Sequence, residues 1–320
     1  MRRLALAGLF LSLAAGFAAA QTWPSKPVKL IVPTPSGTPP DVIARLVADR
    51  LTKVVGQSFY VDTLPGAGGL IASQTAARAA PDGYTLYVAG TGALITDRYS
   101  VKALNYDPDR DFMLIAMVYE EGPLAIAVNP DLPVRNLPEL IALAKQQPGK
   151  LSYGITSVAL VELFGKWLQK QADIDMVAVP YKSLAQGVQD AIAGRTQIIV
   201  TAPPGLEPYA RAGRLRIIAV DGSKRNPRIP DVPTISETLP GFKISTMSIL
   251  VAPAGTPQPV VQRLNGAMNR VVSDPDYVQR LLAMGFVANG GGTSESIADF
   301  LHERREYWDR IMKALKVQPE

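Results

Sequence analysis

Short apolar runs alternate with segments of helical periodicity along most of the chain. The first run, at residues 30–32, is apolar and ends in two β-branched residues, which is typical of a strand buried on both faces. A loop rich in Gly and Pro follows over 33–40, and Asp41 then stands where a carboxylate complements the positive end of a helix dipole. Apolar residues at intervals of three and four next predict a helix with one buried stripe, formed by Val42, Ile43, Leu46, Val47, Leu51 and Val54.

The same alternation recurs through the middle of the chain. Strands are predicted over 85–89, 151–154, 176–179, 197–200 and 215–220, and loops rich in Gly, Ser, Thr and Pro follow the first four. The helix after the third of them is expected to end at Gly194, a C-cap glycine. Strands that alternate with helices predict an α/β protein with mainly parallel sheets.

The C-terminal part has a different pattern. One strand is predicted over 249–252, and three helices follow over 257–272, 277–284 and 294–315. We interpret these helices as packing back onto the first domain, which would make that domain discontinuous. The predicted division is domain 1 at 21–123 and 249–320 and domain 2 at 124–248, with two chain crossings that form a hinge.

The first 20 residues have the features of a secretory signal peptide. Arg2 and Arg3 precede an apolar run, and small residues at 18–20 predict cleavage before Gln21. The run, roughly 15 residues, is short for a membrane span. We therefore expect an exported, soluble mature protein.

Composition excludes several classes of function. The chain has no cysteine, which excludes disulfides, thiolate metal sites and a cysteine-linked lipid anchor. Its one histidine, His302, lies in a charged helical stretch and is expected on a solvated face, so histidine acid/base chemistry and multi-histidine metal sites are disfavoured. A formal charge of +5, from scattered basic residues, is too balanced for a nucleic-acid-binding protein.

The glycine-rich loops do not complete a nucleotide-binding motif. The segments 65–69 and 90–92 are followed by Ile71 and Ile95, where the dinucleotide fingerprint requires a small residue. The chain contains neither a GxxxxGK[ST] phosphate loop nor a GxSxG nucleophile elbow. The loops at the strand ends offer backbone N–H groups and hydroxyls with almost no titratable side chains, which favours reversible capture, for example of an anion at a helix N-terminus, over catalysis.

Motifs along nearly all of the mature chain resemble the periplasmic solute-binding receptors of tripartite tricarboxylate transporters, the Bug family. They are KPVKLIVPTPSGTPPDVIAR from 26, PGAGG from 65, AAPDGYTL from 79, YDPDRDF from 106, LPELIALAKQQPGKLSYG from 137, VPYKS from 179, IPDVPT from 229 and LVAPAGTPQPVVQRLN from 250. The resemblance implies a two-lobed type II periplasmic-binding-protein fold. It also implies a monomeric, periplasmic receptor without cofactor or metal, which is not an enzyme and captures a small organic acid between its lobes for delivery to a membrane permease.

The resemblance also implies where the ligand is bound. In the family the carboxylate is commonly held by backbone groups and ordered water from two loops of domain 1, and loops of domain 2 contact the distal end. Carried onto this chain, the first loop is 33–41 and the second loop is 90–93. The implied ligand-binding residues are Thr34, Ser36, Gly37, Thr38, Asp41, Gly90, Thr91, Gly92, Ala93, Ile155, Thr156, Ser157, Tyr181, Lys182, Thr201, Ala202 and Met247.

This chain departs from the family pattern at five places in the implied site. Thr34 and Met247 stand where the family often has an aromatic residue, and Thr201 stands where an Asp is frequent. Thr38, Pro39 and Pro40 replace a glycine run, and two prolines remove two N–H donors. Only residues 155–161 separate Gly154 from Glu162, a shorter loop than the family has. These changes indicate a less polar or roomier site and favour a ligand with an apolar or aromatic body and at least one carboxylate.

Two other functions are compatible with the sequence. A protein of the same fold could act as an adaptor that presents its ligand to a membrane sensor kinase, and the residues do not distinguish this from delivery to a permease. An enzyme is the weakest alternative, since the loops have few acid or base residues.

Overall fold

A computed structural model describes residues 23–156, 159–181, 183–244 and 246–319. The predicted signal peptide at 1–20 and the predicted site residues Ser157 and Lys182 lie outside the described residues.

The described residues form ten strands and ten α-helices, numbered here in chain order. The strands are β1 (Val28–Val32), β2 (Phe59–Thr63), β3 (Thr85–Gly90), β4 (Phe112–Gly122), β5 (Ala125–Val128), β6 (Ser152–Thr156), β7 (Val177–Tyr181), β8 (Ile198–Thr201), β9 (Arg216–Val220) and β10 (Thr246–Pro253). The helices are α1 (Pro39–Val55), α2 (Leu70–Ala77), α3 (Asp97–Ser100), α4 (Leu137–Gln146), α5 (Ala159–Ala172), α6 (Leu184–Ile192), α7 (Glu207–Arg211), α8 (Gln258–Val272), α9 (Pro275–Ala283) and α10 (Ser294–Ala314). A π-helix at Gly92–Thr96 leads into α3, and short 3₁₀ turns lie at Ala67–Gly69, Pro203–Gly205 and Ile235–Glu237.

The strands form two five-stranded sheets of similar topology. The first has the order β2-β1-β3-β10-β4 and the second the order β7-β6-β8-β5-β9. In each sheet four strands run in one direction, and the reversed strands are β10 and β5. The predicted α/β fold with mainly parallel sheets is confirmed, with one antiparallel strand in each sheet.

The chain passes between the two sheets twice. It leaves the first sheet after Gly122, forms β5 to β9, and returns at Thr246. The C-terminal helices α8 and α10 then pack against β4 of the first sheet. The domain boundaries at 123/124 and 248/249 stay a prediction.

Helix α1 differs from its sequence prediction at both ends of its apolar stripe. Ile43, Val47 and Leu51 are fully buried, but Val42 and Val54 are 43% and 36% exposed, so the prediction was wrong for these two. The alanines at 44 and 48 complete the buried face, and their small side chains fit where the helix lies close to the sheet. The helix also begins at Pro39, two residues before the predicted helix start at Asp41, since proline fits the first turn of a helix, where the N–H has no partner.

Two strands extend further than their apolar runs predict. β6 includes Ile155 and Thr156, and β7 includes Pro180 and Tyr181, all four of which were predicted to lie in loops. The added residues pair in register, Ile155 with Pro180 and Thr156 with Tyr181. Proline is tolerated here because β7 is an edge strand of its sheet.

Candidate functional site

The carboxyl edges of the two sheets adjoin each other at the chain crossings. At the first sheet, Gly122 pairs with Thr246, and at the second, Ala125 pairs with both Thr201 and Val220. Three residue steps separate Gly122 from Ala125 and span at most about 11 Å. Both crossings therefore join carboxyl edges, which is where ligands bind in open α/β sheets.

Most of the predicted site residues lie on these two edges. The first loop leaves the end of β1, and the second loop leaves the end of its parallel neighbour β3. On the second sheet, Thr156, Tyr181 and Thr201 end the parallel neighbours β6, β7 and β8. The topology thus brings the sequence-predicted segments to one region between the sheets.

The first loop is closed by its own carboxylate. Asp41 is only 2% exposed, and its Oδ2 accepts the Gly37 N–H at 2.8 Å and the Arg45 Nε–H at 3.1 Å. Arg45 Nη2 lies 3.0 Å from the other carboxylate oxygen. Gly37 is one of the predicted ligand-binding residues, and in the structure its N–H is donated to Asp41.

The hydroxyls of the first loop also contact one another. The Thr38 hydroxyl lies 2.8 Å from the Pro35 carbonyl and 2.9 Å from the Thr34 hydroxyl, and Ser36 Oγ lies 3.3 Å from Thr63 Oγ1. Ser36 is exposed, whereas Thr34 and Thr38 are half-buried. Of these three, Ser36 is therefore the most accessible hydroxyl for a ligand.

The second loop is fixed to the start of β10. Met247, fully buried, donates its N–H to Thr91 Oγ1 at 3.0 Å. A Cβ placed on Gly90 would lie 3.9 Å from the Met247 carbonyl oxygen. The structure thus brings together three predicted site residues from separate parts of the sequence, Gly90, Thr91 and Met247.

Behind the second loop lies a polar group that sequence reasoning missed. The Tyr106 hydroxyl lies 2.9 Å from the Ala93 carbonyl oxygen and 2.9 Å from Asp97 Oδ2. Burial raises the pKa of both Asp97 and Tyr106. The sequence did contain a signal for this group. Asp97 follows Gly92 by five residues, on the helical segment that starts at the second loop, so its carboxyl could be expected near that loop.

On the second sheet, Tyr181 is directed into the protein. A Cβ on Gly154 would lie 3.0 Å from its ring and one on Gly187 would lie 3.1 Å from it. Burial is the main cause that raises the pKa of Tyr181. Of the two groups beside its hydroxyl, Asp190 raises this pKa further and Thr196 lowers it. Both lie toward the amino edge of this sheet, near the end of α6 and just before β8, so the ring packs between sheet and helix rather than at the carboxyl edge.

The remaining described site residues of the second sheet are uncharged. Ile155 is buried, and Thr201 and Ala202 are half-buried at the end of β8. The Pro203–Gly205 turn that follows reaches the first sheet's helices, since a Cβ on Gly285 after α9 would lie 2.8 Å from Pro204 Cδ.

Hydrogen bonds tie the crossings together. Asp221, at the end of β9, donates its N–H to the Leu124 carbonyl at 2.7 Å, and its carboxylate accepts the Ile244 N–H at 2.8 Å. On α10, the Tyr307 hydroxyl oxygen accepts the Lys243 N–H at 2.7 Å and the Trp167 indole N–H at 3.3 Å. The return crossing and α5 are thereby fixed to the C-terminal helix.

Among the residues that the structure describes, no group of three or more His, Cys, Asp or Glu side chains is placed to hold a metal ion. In the same part of the chain, no helix combines the length and apolar character needed to cross a membrane.

Comparison with known proteins gives consistent matches. The model of the tripartite tricarboxylate transporter family receptor matches residues 43–317. A UPF0065 protein of Bordetella bronchiseptica is 38% identical over 99% of this chain and 94% of its own length. Protein BugT of Bordetella pertussis is 33% identical over 93% of this chain and 94% of its own length.

Solved structures agree with the sequence matches. The Rpa4515 protein of R. palustris, described with adipate, has a TM-score of 0.79 and 31% identity over 93% of this chain and all of its own. MatC of Rhodopseudomonas palustris, described with bound malate, has a TM-score of 0.73 and 28% identity over 90% of this chain and 99% of its own.

Proposed function

Since the chain belongs to the tripartite tricarboxylate transporter receptor family, we propose that it captures a small carboxylate between its two lobes and delivers it to a membrane transporter of that type. One observation carries the proposal: the carboxyl edges of the two sheets meet at the two crossings. The loops at these edges offer backbone N–H groups and hydroxyls. One structural relative is described with adipate and another with bound malate, and both molecules are carboxylates, which supports a carboxylate as the ligand.

We propose a ligand with an apolar or aromatic body. Ala202 is half-buried at the end of β8, and Ile155 and Met247 are buried behind the site, so these three positions contribute no charged group to it. Affinity would then come from burial of the body and from hydrogen bonds to the carboxylate, each contributing about 1.5–3 kcal/mol.

The same proposal includes export of the protein, its division into two domains and its monomeric state. Residues 1–20 direct export to the periplasm, and residues 21–123 and 249–320 form the domain that carries the first and second loops. Residues 124–248 form the other domain, and the receptor works as a monomer whose lobes close around the two crossings.

Carboxylates are expected to raise the melting temperature of the purified mature protein. A ligand at one hundred times its Kd adds about 2.7 kcal/mol to the stability of the folded state, which corresponds to a rise of several degrees. The panel contains adipate, malate, hexanoate and benzoate, with adipamide as the uncharged control. A shift with adipamide and none with any carboxylate would contradict the anion assignment.

Replacing Pro39 by alanine is expected to strengthen carboxylate binding about tenfold. The substitution restores an N–H at the first helical position of α1, and a hydrogen bond to a charged acceptor is worth about 1.5–3 kcal/mol. Stability should fall by about 0.4–1 kcal/mol, because the unfolded chain gains freedom. Isothermal titration with a carboxylate found by the panel measures the affinity.

Pro275→Ala is the matched control for this change, since Pro275 also occupies the first helical position, in α9. It should lower stability by a similar amount and leave affinity unchanged. Equal affinities of the two variants would show that the N-terminus of α1 does not contact the ligand.

A further inference from the structure

The second loop is underlain by a carboxyl group that the proposed binding contacts do not use. Asp97 begins α3, where the π-helix that follows the second loop ends. A Cβ placed on Gly92 would lie 3.2 Å from Asp97 Oδ1, so this carboxyl approaches the loop closely. Tyr106, which is 5% exposed, contacts Asp97 Oδ2 and the Ala93 carbonyl oxygen, each at 2.9 Å.

The number of protons at these three oxygens decides the charge of Asp97. A tyrosine hydroxyl has one proton to donate, and a carbonyl or an ionised carboxylate can only accept. With Asp97 ionised, one of the two contacts would bring two oxygens together without a proton. With Asp97 protonated, its O–H donates to Tyr106 and the Tyr106 O–H donates to the Ala93 carbonyl, so both contacts are hydrogen bonds.

Among the described residues, no cation pairs with Asp97 to favour its ionised form. From β3, Tyr87 faces the group, with its hydroxyl 3.0 Å from Ser73 Oγ of α2. Arg98 on α3 and Arg305 on α10 are the nearby cations, and both pair with Asp109. Arg305 Nε also donates to the Leu94 carbonyl at 3.2 Å. Among the ion pairs between described residues, none includes Asp97, and burial is the main cause that raises its pKa.

We propose that Asp97 is a proton-linked determinant of anion binding at the second loop. Its protonated form holds the loop in the binding shape, and its ionisation weakens binding of a carboxylate. The inference rests on the proposed function. Ionisation would place a negative charge next to Gly92 and turn the Tyr106 proton away from Ala93. By reciprocity, a bound carboxylate favours protonation of Asp97, so binding takes up a proton.

The first test needs no ligand and uses Asp97→Asn, which cannot ionise but keeps an N–H donor for Tyr106. Because the pKa of Asp97 is raised in the folded state, that state binds more protons than the unfolded one above pH about 4. The wild type should therefore lose stability as the pH rises through the folded pKa and become level above it. The melting temperature of D97N relative to wild type should rise over the same range.

Asp173→Asn is the control for this test. Asp173 is exposed and has a φ of 52°, a conformation that asparagine tolerates, so its substitution should not change the pH profile. Profiles of wild type and D97N that stay parallel from pH 4 to pH 8 would overturn the protonated state of Asp97.

The second test is calorimetric titration of the mature protein with adipate and with malate, in two buffers of different ionisation enthalpy, between pH 5 and pH 8. The wild type should take up protons on binding, and its affinity should fall about fivefold as Asp97 ionises. D97N should lack both effects, and its titration corrects for protons that the acids themselves release or take up on binding. Tyr106→Phe, which keeps Asp97 but removes the shared hydroxyl, should bind more weakly than D97N.

The outcomes separate this inference from the proposed function. Binding with the same pH dependence in wild type and D97N would overturn the role of Asp97 and leave the receptor function intact. Failure of both acids to bind would count against the proposed function and the linkage together, while the stability profiles would still decide whether Asp97 is protonated.

Discussion

Replacing Trp308 by alanine is expected to lower the free energy of unfolding by about 3–5 kcal/mol. Trp308 lies on α10 and has no exposed surface. It belongs to a buried cluster that includes Ile31 and Tyr87 of the first sheet and Tyr153 of the second. Removing the indole would leave a large cavity, and the lining residues come from elements too rigid to close it. Urea unfolding followed by far-UV circular dichroism measures the loss.

The same helix offers a matched control for this change. His302 lies two turns earlier, with its side chain 78% exposed, and His302→Ala should alter stability by less than about 0.5 kcal/mol. A loss below about 1.5 kcal/mol for Trp308→Ala would contradict the packing of α10 into the shared core. The result also bears on binding, because the neighbouring Tyr307 contacts α5 and the return crossing and would be displaced with the helix.

Local sequence patterns were sufficient to predict most elements of the fold. The apolar runs predicted seven of the ten described strands and missed β2, β4 and β5. The three C-terminal helices lie within about two residues of their predicted ends, which is the usual uncertainty of helix boundaries. Gly194 has the positive φ of 74° that its predicted C-cap role requires. These features depend on residues close together in the sequence.

The errors arose where tertiary context decides. Val42 and Val54 fit the period of the buried stripe, but the described elements leave them exposed, and periodicity alone could not show this. Tyr181 was predicted in a loop because Pro180 precedes it. In the structure, β7 is an edge strand that accepts the proline, and the Tyr181 ring covers two glycines.

The candidate site shows the same division between local and long-range information. The loops at the carboxyl ends of strands were predictable, since each follows its strand directly. The contact of Met247 with Thr91 joins residues 156 positions apart, and the contact of Tyr106 with Ala93 depends on how the segment after α3 returns to the sheet. The motifs name some of these residues but not which of them meet, so a fold was needed to find the two contacts.

Replacing Asp41 by alanine is expected to lower the free energy of unfolding by about 2–3 kcal/mol and to weaken carboxylate binding. The buried carboxylate accepts the Gly37 N–H and pairs with Arg45, so its removal leaves the first loop without its central acceptor. The loss of a negative charge at the N-terminus of α1 adds to the cost, because that end of the helix dipole is positive. Urea unfolding and titration with a carboxylate measure the two effects.

Asp49→Ala is the control on the same helix. Asp49 also pairs with a cation four residues later, Lys53, but its side chain is 58% exposed, so its loss should cost less than about 0.5 kcal/mol and leave binding unchanged. Asp41→Asn separates shape from charge, since the amide oxygen can still accept the Gly37 N–H. If the negative charge of Asp41 repels the carboxylate of the ligand, D41N should bind that ligand at least as tightly as the wild type does. Equal stability losses for D41A and D49A would instead mean that the first loop keeps its shape without Asp41.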